Sequence, residues 1–142
     1  MLNNAHITPV IPVADLDRAR KYYSEVLGLQ EIGPHGGNVA FGDPEGDRIE
    51  LVYKPDAVAS ENTLLTFEVD DVASEVEELS KRGVKFEPID LPGATRDGVI
   101  TTLEGENIAW LRDSEGNWLC LHEEPLGDED IENELSADSS QS

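Results

Sequence analysis

Basic side chains are scarce in this chain. Its 142 residues include 10 lysines and arginines against 31 aspartates and glutamates, a formal net charge of −21. A surface of that sign repels phosphates, which excludes nucleic acid as a partner. Cysteine is nearly absent: the lone Cys120 cannot form an internal disulfide, and the expected setting is the reducing cytoplasm. No apolar run is long enough to cross a bilayer, so no membrane partner is expected, and the N-terminus has no apolar signal segment. The glycines punctuate turns, and none builds a phosphate-cradling loop. Three readings of the acidity stay open: a surface adapted to high salt, an attractive field for a cationic ligand, or an ordinary acidic protein with an acidic tail. A chain equally stable in dilute buffer and molar KCl would count against the first.

What is present is a repeated unit. Ile11 and Val13 end an extended apolar run, and Asp15 is placed to cap a helix. Leu16, Ala19, Tyr22, Tyr23, Val26 and Leu27 then recur at helical spacing, and Gly28 supplies a left-handed stop. The pattern returns at Val69-x-Asp71-Val72 and Gly83-Val84, matching Val13-x-Asp15-Leu16 and Gly28-Leu29. A second echo pairs Asp43-Pro44-Glu45-Gly46 with Asp113-Ser114-Glu115-Gly116, each a turn launching an alternating strand. The spacing predicts strand, helix and three strands, twice over.

In order, strands are expected over 5–13, 29–33, 38–42 and 48–54, with a helix at 16–27. In the second half strands are expected over 63–69, 84–89, 98–104, 107–112 and 117–123, with a helix at 72–82. Residues 92–98 read as a loop, either a lid over a cleft or a plain connection. Residues 1–123 read as one domain built from repeats 5–54 and 63–123, followed by an acidic tail at 124–142 with a candidate helix at 129–135. The fold class is α+β: two βαβββ modules forming a cleft-lining mixed sheet.

Strand parity sends Ile7, Ile11, Val13, Ile49, Leu51, Leu65, Phe67 and Val69 toward the helices. It sends another set to the opposite, concave face: His6, Thr8 and Val10; Arg48, Glu50 and Val52; Leu64, Thr66 and Glu68; Trp118, Cys120 and His122. Polar groups among apolar ones suit a small-molecule cleft. Glu50 reads as a base, as a binding group for a cation, or as a carboxylate paired with Arg48 or Thr8. Cys120 reads as an inert thiol or a nucleophile, and Trp110 and Trp118 as stacking platforms or as packing residues. Tyr22 and Tyr23 fall in the core, and His35 in a solvated loop.

The runs Ile11-Pro12-Val13-Ala14-Asp15-Leu16 with Leu27-Gly28-Leu29, Phe67-Glu68-Val69-Asp70-Asp71-Val72 with Arg82-Gly83-Val84, and Ala109-Trp110-Leu111-Arg112-Asp113-Ser114-Glu115-Gly116-Asn117 resemble the vicinal oxygen chelate superfamily. That group contains glyoxalase I, bleomycin resistance proteins and extradiol dioxygenases. The resemblance covers about residues 5–123. It implies the paired-module fold, a homodimer and, in metal-using members, one ligand on the first and last strand of each half. Those four positions fall on Thr8, Glu50, Leu64 and Cys120. One carboxylate among them is not a site for a hard divalent cation. A displaced set of His6, Glu50 and His122 requires a slip of about 7 Å along the strands. The reading favoured is therefore a glyoxalase/bleomycin-resistance-like protein that binds a small molecule through His6, Thr8, Arg48, Glu50, Leu64, Thr66, Trp118, Cys120 and His122, without metal or other cofactor. The alternatives are a metal-dependent lyase of lactoylglutathione-lyase type using Glu50 as its catalytic group, and a drug-sequestering resistance protein.

Overall fold

The computed structural model describes residues 1–35 and 37–123. The acidic tail and its candidate helix lie outside the described residues, as does the His35 side chain. The first unit runs β1 (Val10–Val13), α1 (Leu16–Lys21), β2 (Glu31–His35), β3 (Asn38–Gly42) and β4 (Arg48–Tyr53). The second runs β5 (Thr63–Glu68), α2 (Val72–Lys81), β6 (Phe86–Glu87), β7 (Thr95–Asp97), β8 (Ile100–Leu103), β9 (Glu106–Arg112) and β10 (Trp118–Glu123). No helix among the described residues is long and apolar enough to cross a membrane.

Each unit makes one sheet. The first has the order β1-β4-β3-β2; the second has β5-β10-β9-β8-β7, with β6 on β9. In both, the opening strand lies parallel to the closing strand, β1 beside β4 and β5 beside β10. This is the α+β architecture of two βαβββ modules. The helix caps repeat as well. The Asp15 carboxylate accepts the Arg18 amide at 3.0 Å, and that of Asp71 accepts the Ser74 amide at 3.2 Å. Gly28 and Gly83 close the two helical segments at φ 77° and 97°, where a side chain would be strained.

The structure corrects the expected elements at four places. The first strand begins at Val10 rather than at residue 5, and Ile7 is 87% exposed instead of packed toward the helix. Pro9 has no N–H to extend the ladder, although its carbonyl still accepts the Glu50 amide at 3.0 Å. The first helix is α-helical only to Lys21 and continues as a π-helical turn over Tyr22–Val26. That wider turn presents Tyr22 and Tyr23 in succession to the second unit. The strand expected over 84–89 shrinks to Phe86–Glu87. The expected loop 92–98 contains β7, paired with β8 and pinned where Arg96 contacts Asp90 and the Gly98 carbonyl.

Apart from Ile7, the odd-numbered apolar set points inward. Ile11, Val13, Ile49 and Leu51 of the first sheet form a single buried cluster with Ala109, Leu111, Leu119 and Leu121 of the second. The back faces of the two sheets and both helices thus share one core. Polar bonds from α1, its cap and its π-turn join the two units beside it. The Tyr23 hydroxyl donates to Asp113 Oδ2 at 2.6 Å, Arg18 Nε donates to Glu115 Oε2 at 2.8 Å, and the Asp15 amide donates to Glu115 Oε1 at 3.1 Å. Burial, and then the charge of Asp113, push the Tyr23 phenol far above its ordinary range, so it stays a donor.

Candidate functional site

Since the back faces meet in the core, the front faces turn outward. On the first sheet, Arg48, Glu50 and Val52 are half-buried and alternate with buried Ile49 and Leu51. Val10 lies beside Glu50 in the ladder and is 57% exposed. Asn38, two residues from the strand position opposite Glu50, donates from Nδ2 to Glu50 Oε1 at 3.0 Å. That bond fixes the carboxylate's direction.

On the second sheet three rows cross the strands. Thr66, Cys120 and Trp110 form one, Glu68, His122 and Ile108 the next, and Trp118 lies opposite Arg112. A register slip between Trp118 and Leu119 takes Leu64 out of the pairing and leaves it 38% exposed. The Arg112 guanidinium lies 4.0 Å above the centre of the Trp118 ring and is held by Glu87 at 3.0 Å. Both ring nitrogens of His122 face carboxylates: Nδ1 is 2.7 Å from Glu68 and Nε2 is 3.3 Å from Glu106. The hydrogen bond to Glu68, aided by Glu106, raises the His122 pKa above its ordinary value against the opposing effect of burial. Cys120 is buried, its sulfur 3.4 Å from the Leu121 carbonyl. Burial pushes its thiol up to about 11, the opposite of an activated nucleophile.

The residues expected to line one cleft therefore divide. Glu50 and Val52 stand on the front of one sheet. Thr66, Glu68, Trp118, Cys120 and His122 stand on the front of the other. His6, exposed, and Thr8, half-buried, precede β1 and lie against the Pro44–Arg48 turn. Sequence reasoning missed Asn38, Glu106, Ile108 and Arg112. Counting back across the Asp113–Asn117 turn would have placed Arg112 opposite Trp118 and Ile108 opposite His122. The partnership of Asn38 with Glu50 follows in the same way from the Asp43–Asp47 turn.

These residues do not fit a metal. Of the four positions that the family resemblance implies for metal ligands, Thr8 has a neutral hydroxyl, Glu50 has a carboxylate, Leu64 has no donor atom, and the Cys120 sulfur is a buried thiol turned to its own strand. His122 has both nitrogens committed to carboxylates, which removes it from the displaced set with His6 and Glu50. Among the described residues no three His, Cys, Asp or Glu side chains gather as a metal site.

Comparison with known proteins fits this architecture. The chain resembles the bleomycin resistance determinant encoded on transposon Tn5 at 22% identity and TM-score 0.64, over 85% of this chain and 98% of that one. It resembles TnmS3, an antibiotic binding protein from Streptomyces sp. CB03234, at 20% identity and TM-score 0.61, over 85% and 97% of the two chains. A glyoxalase/bleomycin resistance protein from Catenulispora acidiphila DSM 44928 aligns at 21% identity and TM-score 0.61, over 84% and 98%. At these identities the likeness shows the fold. No curated protein matches the chain. The family model of the Glyoxalase/Bleomycin resistance protein/Dioxygenase superfamily matches residues 5–121, and the chain belongs to that superfamily.

Proposed function

We propose that this protein binds a small organic molecule without a metal, and that the site forms in a homodimer. The front of the first sheet from one copy would face the front of the second sheet from the other. The observation that supports this most is the outward direction of both front faces. Each has the makings of half a pocket, and a single chain uses its back faces for the core. Glu50, held by Asn38, accepts a hydrogen bond or pairs with a cationic group. Thr66 supplies a hydroxyl, Trp110 an aromatic face, and the Arg112–Trp118 stack a flat charged plate. His6, Thr8, Arg48 and Leu64 belong to the rim, and Cys120 and His122 to the floor. The lone buried cysteine favours the cytoplasm.

Sequestration of an antibiotic without chemistry is the second reading. It is favoured by the likeness to a bleomycin resistance determinant and to the antibiotic binding protein TnmS3, together with the acidity of the chain. The lyase reading through Glu50 lacks the donors it requires.

The test titrates the protein with bleomycin and with planar aromatic compounds, with and without a cationic group. Tryptophan fluorescence reports binding, and sedimentation velocity reports assembly. Saturable quenching by a dimer, weakened about ten-fold by Glu50→Gln for cationic compounds only, is the expected result. A monomer with no saturable response overturns the reading.

A further inference from the structure

On the other side of β5 a groove of ≈ 550 Å³ separates the two units. Its floor is apolar, made by Leu29, Phe41 and Ile49 from the first unit and Leu65 and Phe67 from the second. Its rim is polar and of mixed sign, with Asp47 and Arg48 on one side and Thr66 and Glu68 on the other. Five of the chain's six arginines pair with a carboxylate. Arg48 is the sixth and has no such partner among the described residues. In a chain with three acids for every base, an arginine without a carboxylate at the rim of a groove of this size is suited to meet an anionic group.

The main chain adds a second requirement. β5 is the outermost strand of its sheet, with β10 as its neighbour. The Val69 amide donates to the His122 carbonyl at 2.9 Å. Main-chain groups alternate in direction along a strand, so those of Leu65 and Phe67 also face β10. The N–H and C=O of Thr66 and Glu68 therefore face away from the sheet, into the groove. Such an edge accepts an added strand.

We propose that this groove binds a short, extended, apolar peptide in its zwitterionic form. The peptide main chain pairs with Thr66 and Glu68, and an apolar side chain rests on the half-buried Leu65 and Phe67. The C-terminal carboxylate meets Arg48, and the N-terminal ammonium meets the Glu68 oxygen that His122 leaves open. The volume suits a ligand of that size. The site shares Arg48 and Glu68 with the faces described above but is read at the edge main chain of β5, so its failure leaves intact the preceding reading, which rests on Glu50 and the tryptophans.

The test is a titration of the ¹⁵N-labelled full chain with the tripeptide Leu-Val-Leu, followed by amide chemical shifts and hydrogen exchange. Saturable shifts and slowed exchange at Thr66 and Glu68 are expected. Binding should weaken about ten-fold in Arg48→Gln and with the acetylated, amidated tripeptide. Should Arg48→Gln fail to fold, the capped peptide alone decides. The proposal is overturned by an unshifted β5 edge at millimolar peptide, by shifts confined to Trp110 and Trp118, or by equal binding of the capped peptide. It is also overturned if protection of Thr66 and Glu68 rises with protein concentration and no peptide, because the edge then belongs to a second copy.

Discussion

The two D-x-E-G turns are the same object locally and opposite objects globally. In each, the aspartate carboxylate accepts the glutamate amide at 2.9 Å, and its carbonyl accepts the glycine amide at 3.1 Å. Asp43 and Glu45 nevertheless stand in solvent, whereas Asp113 is 6% exposed and Asn117 3%. The difference comes from the helices. Where α1 and its π-turn have Arg18 and Tyr23, α2 has Ser74 and Leu79, so the first unit's helix grips the second unit's turn, and among the described residues α2 makes no reciprocal hydrogen bond to the Asp43–Asp47 turn. Repetition builds the sheets, and the departures from repetition join them back to back. That union turns the front faces outward and leaves the β5 edge open.

Replacing Asp113 should have the largest effect. Asp113→Ala strips the acceptor from the Tyr23 hydroxyl, the Asn117 side chain and two amides, and should cost about 4 kcal/mol in urea unfolding. Asp43→Ala should cost under about 1 kcal/mol, since water replaces the lost bonds. Equal losses at the two turns would break the comparison. Tyr23→Phe removes one donor and keeps the ring, and should cost about 1.5 kcal/mol.

The smallest effect is one of pH. His122 has a raised pKa in the folded state, so its contribution is full below the ordinary histidine range and is lost as pH rises through the folded value. Wild type should therefore lose melting temperature relative to His122→Gln between about pH 6 and about pH 8. A constant difference would remove the imidazolium from its place between Glu68 and Glu106. Glu115 behaves in the opposite sense. Burial pushes its carboxyl up, but Arg18, the Asp15 amide and Ser114 outweigh burial and hold it low. Its contribution is lost as pH falls.

The fold was legible in the sequence because its signals are local: Asp15 and Asp71 as caps, Gly28 and Gly83 as stops, and period-two strands after each turn. Parity also separated Glu50 from Leu51 and His122 from Leu121. Three things were not legible. The π-turn at Tyr22–Val26 answers to Asp113, about ninety residues away, and no neighbouring residue announces it. The late start of the first strand depends on how Pro9 meets β4. Which faces meet is a question of docking, on which strand parity says nothing. One signal was present and unread: Tyr23 against Leu79, and Arg18 against Ser74, at matched positions of the two repeats.

Metal content tests the central claim most directly. The full chain and Glu50→Ala would be incubated with excess Ni²⁺, Zn²⁺, Mn²⁺ and Fe²⁺, desalted, and measured by plasma mass spectrometry. A binding protein that works without metal retains none in stoichiometric amount in either form. One equivalent retained by wild type and lost in Glu50→Ala would contradict the account and restore a metal-assisted lyase.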